Sequence, residues 1–181
     1  MRLLFLGPPG AGKGTQAARV AAKLGIPHVS TGEMFRQQVA AGTALGNRVK
    51  AIMERGAYVP DEITVAMLRE RINEPDAANG FILDGFPRTI PQVMALDETL
   101  GDHGLVRVVL FEVDEDELVD RMLTRGRADD SEEAIRTRFK VYLEQTAPLV
   151  ELYDRRGILV RVNGLGALDR ITDRILEALG T

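Results

Sequence analysis

The chain of 181 residues contains no cysteine and only two histidines, His28 and His103. A disulfide framework, a thiol nucleophile and a Cys-based zinc site are therefore excluded, and neither histidine falls within a site motif. Excess positive charge is missing too: 23 Lys and Arg stand against 27 Asp and Glu, a formal net charge of −4. Nucleic-acid partners usually demand a basic stripe that displaces counterions from phosphates, so the balance argues against one and leaves small anionic ligands open. No stretch approaches the roughly 20 apolar residues that cross a bilayer. The apolar run in the opening MRLLFLGPPG is too short for a signal peptide. A soluble cytoplasmic protein without a membrane partner is the expectation. Internal repeats, low-complexity tracts and interdomain linkers are also lacking, and with 45% hydrophobic residues a single unit over 1–181 is expected.

Lysine is scarce: Lys13, Lys23, Lys50 and Lys140 are the only ones, and every other cationic residue is arginine. The planar arginine fork matches phosphate oxygens. Coding bias or surface ion pairing gives the same composition, so composition alone leaves the point open.

Short apolar runs at Leu3–Leu6, His28–Ser30, Phe81–Asp84, Val106–Val113 and Ile158–Val162 alternate with helical pattern. That alternation implies an α/β fold with a parallel sheet covered by helices. The first helix carries Ala17, Val20, Ala21 and Leu24 on one face and ends at Gly25, where a left-handed residue is wanted. Residues 30–59 read as two short helices broken near AAGTALG and closed by GAYVP, a helical insert. Ser30 and Glu33 have the spacing of a capping box. Asp114 with Glu117, and Asp130 with Glu133, are acidic variants that start helices carrying Leu118/Met122 and Ile135/Phe139/Tyr142/Leu143.

GPPGAGKGTQ, residues 7–16, is a phosphate loop of the G-x-x-x-x-G-K-S/T type in which Gly14 takes the Ser/Thr place. Glycines at 7, 10, 12 and 14 let successive N–H groups face one anion, the following helix adds its N-terminal charge, and Lys13 reaches the β- and γ-phosphates. Gly14 removes the hydroxyl that usually ligates Mg²⁺. Either the metal is held more through water and phosphates, or Thr15 takes the role; both suit phosphoryl transfer between two nucleotides.

GPPGAGKGTQ, STGEMFR, FILDGFPRT with Gln92 after it, and the arginines of RADD and IRTRFKVY together resemble adenylate kinase along nearly the whole chain. The resemblance implies a P-loop nucleoside monophosphate kinase fold: a five-stranded parallel sheet flanked by helices, core 1–29, 60–125 and 133–181, an NMP-binding insert 30–59 and a short lid 126–132. It implies reversible transfer of the terminal phosphoryl group from Mg·ATP to AMP, giving two ADP, by a monomer that needs Mg²⁺ and no zinc. The lack of cysteine agrees with the short-lid form.

By that resemblance ATP meets Gly10, Ala11, Gly12, Lys13, Gly14, Thr15, Arg121, Arg125 and the Gly166 backbone. AMP meets Thr31, Arg36, Ala57, Tyr58, Val59, Gly85, Phe86, Pro87, Arg88, Gln92, Arg127 and Arg138. Lys13, Asp84, Arg88, Arg125, Arg127 and Arg138 carry catalysis, and no side chain need ligate the metal directly, Asp84 and Thr15 being the contacts open to it. Tyr58 departs from the aliphatic residue expected there, and an exposed turn aromatic is its plain alternative. Asp84 ends a central strand, where a carboxylate suits a water-mediated Mg²⁺ contact or a simple turn cap. Arg121 lies one turn after Glu117, so a surface ion pair competes with its ligand role. Arg138 borders an apolar stripe, where arginines also snorkel. Asp129 and Asp130 either orient arginines or cap the next helix, and Gly166 is equally explained as a strand-to-helix turn.

Two rival readings remain. UMP/CMP kinases are similar, but Thr31 and Gln92 favour AMP. A GTPase-type switch lacks support: no lysine sits in Asn-Lys-x-Asp, and Asp154-Arg-Arg-Gly157 falls in a helical stretch.

Overall fold

The computed structural model describes the backbone of residues 1–127 and 129–181, and the side chains of these except 115 and 116. Five parallel strands, β1 (Arg2–Leu6), β2 (His28–Ser30), β3 (Phe81–Asp84), β4 (Arg107–Glu112) and β5 (Leu159–Asn163), form one sheet in the order β2-β3-β1-β4-β5. All five match the apolar runs to within a residue or two.

Side-chain alternation divides the sheet into two cores. Leu4, Leu6, Leu83, Val108 and Leu110 face α4 (Asp61–Ile72), α5 (Ile90–Leu100) and α8 (Pro148–Arg155) through Leu68, Val93, Leu96, Leu149 and Tyr153. Their neighbours Leu3, Phe5, Ile82, Val109 and Phe111 face α1 (Lys13–Leu24), α6 (Glu115–Arg125) and α9 (Leu168–Leu179). The strands are thus apolar on both faces, as a helix-covered parallel sheet requires.

α1 ends as expected: Gly25 is left-handed at φ 65° and its N–H bonds the Ala21 carbonyl. The insert is α2 (Thr31–Ala40) and α3 (Ala44–Glu54), broken at the predicted place, with a small core of Phe35, Val49 and Val59.

Three cap expectations are corrected. The Ser30 side chain caps nothing; Ser30 is still paired with Asp84 in the sheet, at ψ 110°. The hydroxyls that do cap, Thr43, Thr89 and Ser131, have ψ of 162°, 159° and 154°. Asp114 precedes α6 without a side-chain cap bond. α7 (Glu132–Val141) is capped by Ser131, which accepts from the Ala134 N–H, because Asp130 is committed to arginines.

Leu143 is a further correction. It is 63% exposed instead of joining the buried stripe of Ile135 and Tyr142. The helix widens to a π turn over Tyr142–Thr146, closed by the Ala147 N–H on the Tyr142 carbonyl at 2.8 Å, and it is Thr146 that turns inward.

Candidate active site

The carboxyl ends of β1 and β3 open onto a cavity of about 740 Å³, where ligands of open parallel sheets bind. Its floor is the glycine-rich turn. Gly10 and Gly12 adopt left-handed φ of 84° and 87°. A Cβ on Gly10 would stand 2.6 Å from the Leu118 carbonyl oxygen, so a side chain there would push the loop off α6. No side chain caps α1, and Gly12, Lys13, Gly14 and Thr15 at its start line the cavity, an arrangement that attracts anions. Ala11 lies on the same wall.

Lys13 Nζ donates to the Gly7 and Pro8 carbonyls, each at 2.8 Å. Burial, opposed by Asp84 and assisted by Arg88 and Arg125, pulls its pKa down to about 8. Asp84 sits across from the loop with its Oδ2 3.3 Å from His28 Nε2. Burial acts to raise the Asp84 carboxyl, yet the His28 hydrogen bond and the charges of Lys13, His28 and Arg88 hold it below the ordinary carboxylate value. Gly14 now has a reason: a Cβ there would come within 3.2 Å of Asp84 Oδ2. His28, which falls in no site motif, is thus the hydrogen-bond partner of this carboxylate.

The donor set fits a magnesium ion carried in by nucleotide phosphates. Asp84 stands half-buried beside the loop with Oδ2 toward Gly14, a carboxylate available to a hydrated ion. Among the described residues no three His, Cys, Asp or Glu side chains converge as a ligand set of their own.

Over the cavity the arginines are arranged around two aspartates. Arg125 grips Asp130 with Nε at 2.9 Å and Nη2 at 2.8 Å, while Arg138 Nη1 reaches the same carboxylate at 2.5 Å. Asp130 is 1% exposed at its side chain. Burial would raise its carboxyl, but the bonds and charges of Arg125 and Arg138 lower it. Arg138 Nη2 also pairs with Asp129, and Arg36 Nη1 lies 4.0 Å from Asp129 Oδ2. Arg127 has its pKa lowered by burial and then by the charges of Arg125 and Arg36, although an arginine so shifted remains a cation. Burial and the neighbouring cations likewise lower Arg36, against Asp129 and Glu33. Such crowding of cations is unfavourable without an anion. Ala128, in the segment expected to be the lid, lies outside the described residues.

On the insert side Thr31 Oγ1 donates to the Gly85 carbonyl at 2.8 Å, and Arg88 Nε donates to that same oxygen at 2.6 Å. Tyr58 is no exposed turn aromatic: its ring lies under the Arg88 guanidinium, 4.8 Å from centroid to Cζ, and its hydroxyl meets Thr146 Oγ1 at 2.8 Å. Ala57 and Val59 line the cavity beside it, as do Gly85, Pro87 and Gln92. Phe86, expected with them, is 1% exposed and packs in the core with Leu83 and Val93, so it supports the turn from beneath and does not face the cavity.

At the other end Arg121 makes the ion pair expected of it and also borders the cavity. Its Nε pairs with Glu117 at 3.0 Å while both terminal nitrogens reach the Gly164 carbonyl at 3.3 Å, and the residue lines the cavity with Gly166. α3 and the turn after it touch α7: Arg138 Nη2 is 3.5 Å from the Met53 carbonyl, and a Cβ on Gly56 would lie 2.3 Å from the Ala134 carbonyl.

Sequence reasoning missed His28, Met53, Gly56, Asp61 and Thr146. Thr146 alone left a signal, a hydroxyl in place of an apolar residue in YLEQTAPL. The others depend on pairings across the fold.

A family model described as adenylate kinase matches residues 5–158. Full-length relatives include the adenylate kinase of Nocardia farcinica, 51% identical over 99% of each chain. That of a Nocardioides species is 52% identical over 99% of this chain and 97% of its own. That of Stenotrophomonas maltophilia is 52% identical over 99% of each.

Proposed function

The chain belongs to the adenylate kinase family, which transfers a phosphoryl group from ATP to AMP to give two ADP, and on that premise we propose how its own residues divide the work. The observation that carries the reading is the convergence of Lys13, Arg36, Arg88, Arg125, Arg127 and Arg138 on one cavity floored by a phosphate loop. These cations, with Arg121 at the far end, around a space of about 740 Å³ match two polyanionic nucleotides end to end.

ATP lies with its phosphates on residues 10–15 and its base toward Arg121 and Gly166. AMP lies between Thr31, Ala57, Tyr58 and Val59 of the insert and the turn of Gly85 to Gln92, its phosphate on Arg36 and Arg88. With ATP bound, Asp84 and Thr15 are the protein groups that would help hold its Mg²⁺, which would supply charge neutralisation for the transferred phosphoryl group. An AMP phosphate oxygen attacks the γ-phosphorus, the bond from that phosphorus to the ADP oxygen breaks, and two ADP result. The nucleophile is already anionic, so no general base is needed; positioning and charge stabilisation are what the protein supplies. Lys13, Arg125, Arg127 and Arg138 follow the charge onto the moving phosphoryl. Asp129 and Asp130 hold Arg125 and Arg138 in place until phosphates replace part of their hydrogen bonding, while Asp130 accepts the Arg127 backbone N–H.

Residues 30–59 act as the AMP domain and 126–132 as a short lid, closing together so that water is excluded as a competing acceptor. The enzyme acts as a cytoplasmic monomer on adenine nucleotides, with no nucleic-acid or membrane partner.

The test is product analysis by nucleotide chromatography, with Mg·ATP and each of AMP, UMP, CMP and GMP. ADP formed from ATP only with AMP, and little ATP hydrolysis without it, is the expected result. Preference for UMP or CMP would overturn the base-site assignment, and rapid AMP-independent hydrolysis the closure.

A further inference from the structure

Gln92 lines the cavity but is not free to turn within it. Its Oε1 accepts the Arg88 backbone N–H at 2.7 Å, and its Nε2 donates to Asp61 Oδ1 at 2.6 Å. The other Asp61 oxygen accepts the Thr89 hydroxyl at 3.0 Å, which fixes the carboxylate in turn. A carboxylate only accepts and a backbone N–H only donates. Reversing the carboxamide would therefore set acceptor against acceptor at Asp61 and donor against donor at Arg88.

A carboxamide has two N–H donors and two oxygen lone pairs. With one of each used internally, one N–H and one lone pair remain, in a fixed order. A 6-amino purine offers an acceptor at N1 beside a donor at N6, whereas a 6-oxo purine offers a donor at N1 beside an acceptor at O6. The two patterns are mirror opposites, and one orientation of the amide serves only one of them.

We propose that Asp61 is a positioning residue that sets purine specificity: together with the Arg88 backbone N–H it holds the Gln92 carboxamide one way round, and so admits a 6-amino purine monophosphate and rejects a 6-oxo one. The proposal rests on the reading of Gln92 as the side chain that meets the AMP base. Asp61 itself opens α4, two residues after Val59 of the insert's small core.

The experiment compares kcat/KM for AMP and for IMP, with Mg·ATP as donor, in the full chain and in D61N, D61S, Q92L and the D61N/Q92L double variant. D61N and D61S both replace an obligate acceptor by a group that can also donate, so either suffices if the other does not fold. The expected result is a rise of at least about tenfold in the IMP/AMP ratio for D61N and D61S, carried mainly by KM. Q92L raises the ratio as well, and the double variant goes no further than Q92L alone. A shift in Q92L with an unchanged ratio in D61N and D61S overturns the role of Asp61 while leaving Gln92 at the base. An unchanged ratio in Q92L overturns the Gln92 reading and the proposal with it. A merely structural role for Asp61 would lower both substrates together and leave the ratio where it was.

Discussion

The guanidinium of Arg88 lies over the Tyr58 ring, its Cζ 4.8 Å from the centroid, and the backbone carbonyl of Arg88 is held by Thr146 at 2.8 Å. Thr146 gives its one hydrogen to that carbonyl, so the Tyr58 hydroxyl must be the donor in the contact between them. Both ends of Arg88 are thereby fixed by one chain of contacts. Replacing Tyr58 by Leu is expected to lower kcat/KM for AMP about 2- to 13-fold, the loss of a partly desolvated cation–π contact of roughly 0.5–1.5 kcal/mol. Tyr58→Phe keeps the ring and loses less. Steady-state kinetics with AMP varied check the order.

Removing a phosphate-binding cation is a different matter. Arg88→Ala and Lys13→Ala are each expected to cut turnover at least about 100-fold while circular dichroism and the melting curve stay those of a folded protein. A loss under tenfold would count against their assigned roles.

Lys13 also predicts a pH dependence. In the free protein its ammonium loses its proton near pH 8, lowered by burial from the ordinary 10.5. Bound phosphates favour the charged form, so ATP binding takes up a proton above pH 8, and affinity falls by up to about tenfold per pH unit from there toward pH 10. Calorimetric Kd values for Mg·ATP between pH 7 and 9.5 check this, with Lys13→Met giving a flat profile. The same shift has the opposite sign for stability: between pH 8 and 10.5 the unfolded chain binds a proton that the folded chain has lost. At this site the ligand-free fold therefore gains stability as pH rises through that window.

Gly56 joins the insert to the main body at φ 74°, with the Ala134 backbone where a side chain would stand. Gly56→Ala is expected to destabilise by at least about 1–3 kcal/mol, from the left-handed conformation and the overlap together. Urea unfolding measures the cost. A matching rise in KM for AMP would follow from pushing the insert away from α7.

Much of the fold was legible. α1 was readable because Ala17, Val20, Ala21 and Leu24 repeat at the helical period and Gly25 supplies the left-handed stop. The break between α2 and α3 was marked by Gly42 and Thr43, and Thr43 does cap α3. What misled were local patterns that a distant partner overrode. Ser30 has a capping spacing but is kept in the sheet by Asp84. Asp130 has one too, yet two arginines claim it and Ser131 takes its place. Leu143 continues an apolar stripe that the π turn redirects.

The site divides along the same line. The sequence by itself determined the phosphate loop, its lysine, the strand-helix alternation and the arginine supply, because those depend on periods of two and 3.6 residues and on turn chemistry between chain neighbours. Only the tertiary structure decided that His28 meets Asp84, that Tyr58 and Thr146 clamp Arg88, that Asp61 orients Gln92, and that one buried aspartate is shared by two arginines. Hydrogen bonding is satisfied between groups that are close in space. Which groups those are depends on strand order, on the β2–β3 register and on one widened helical turn, and no spacing along the chain records these.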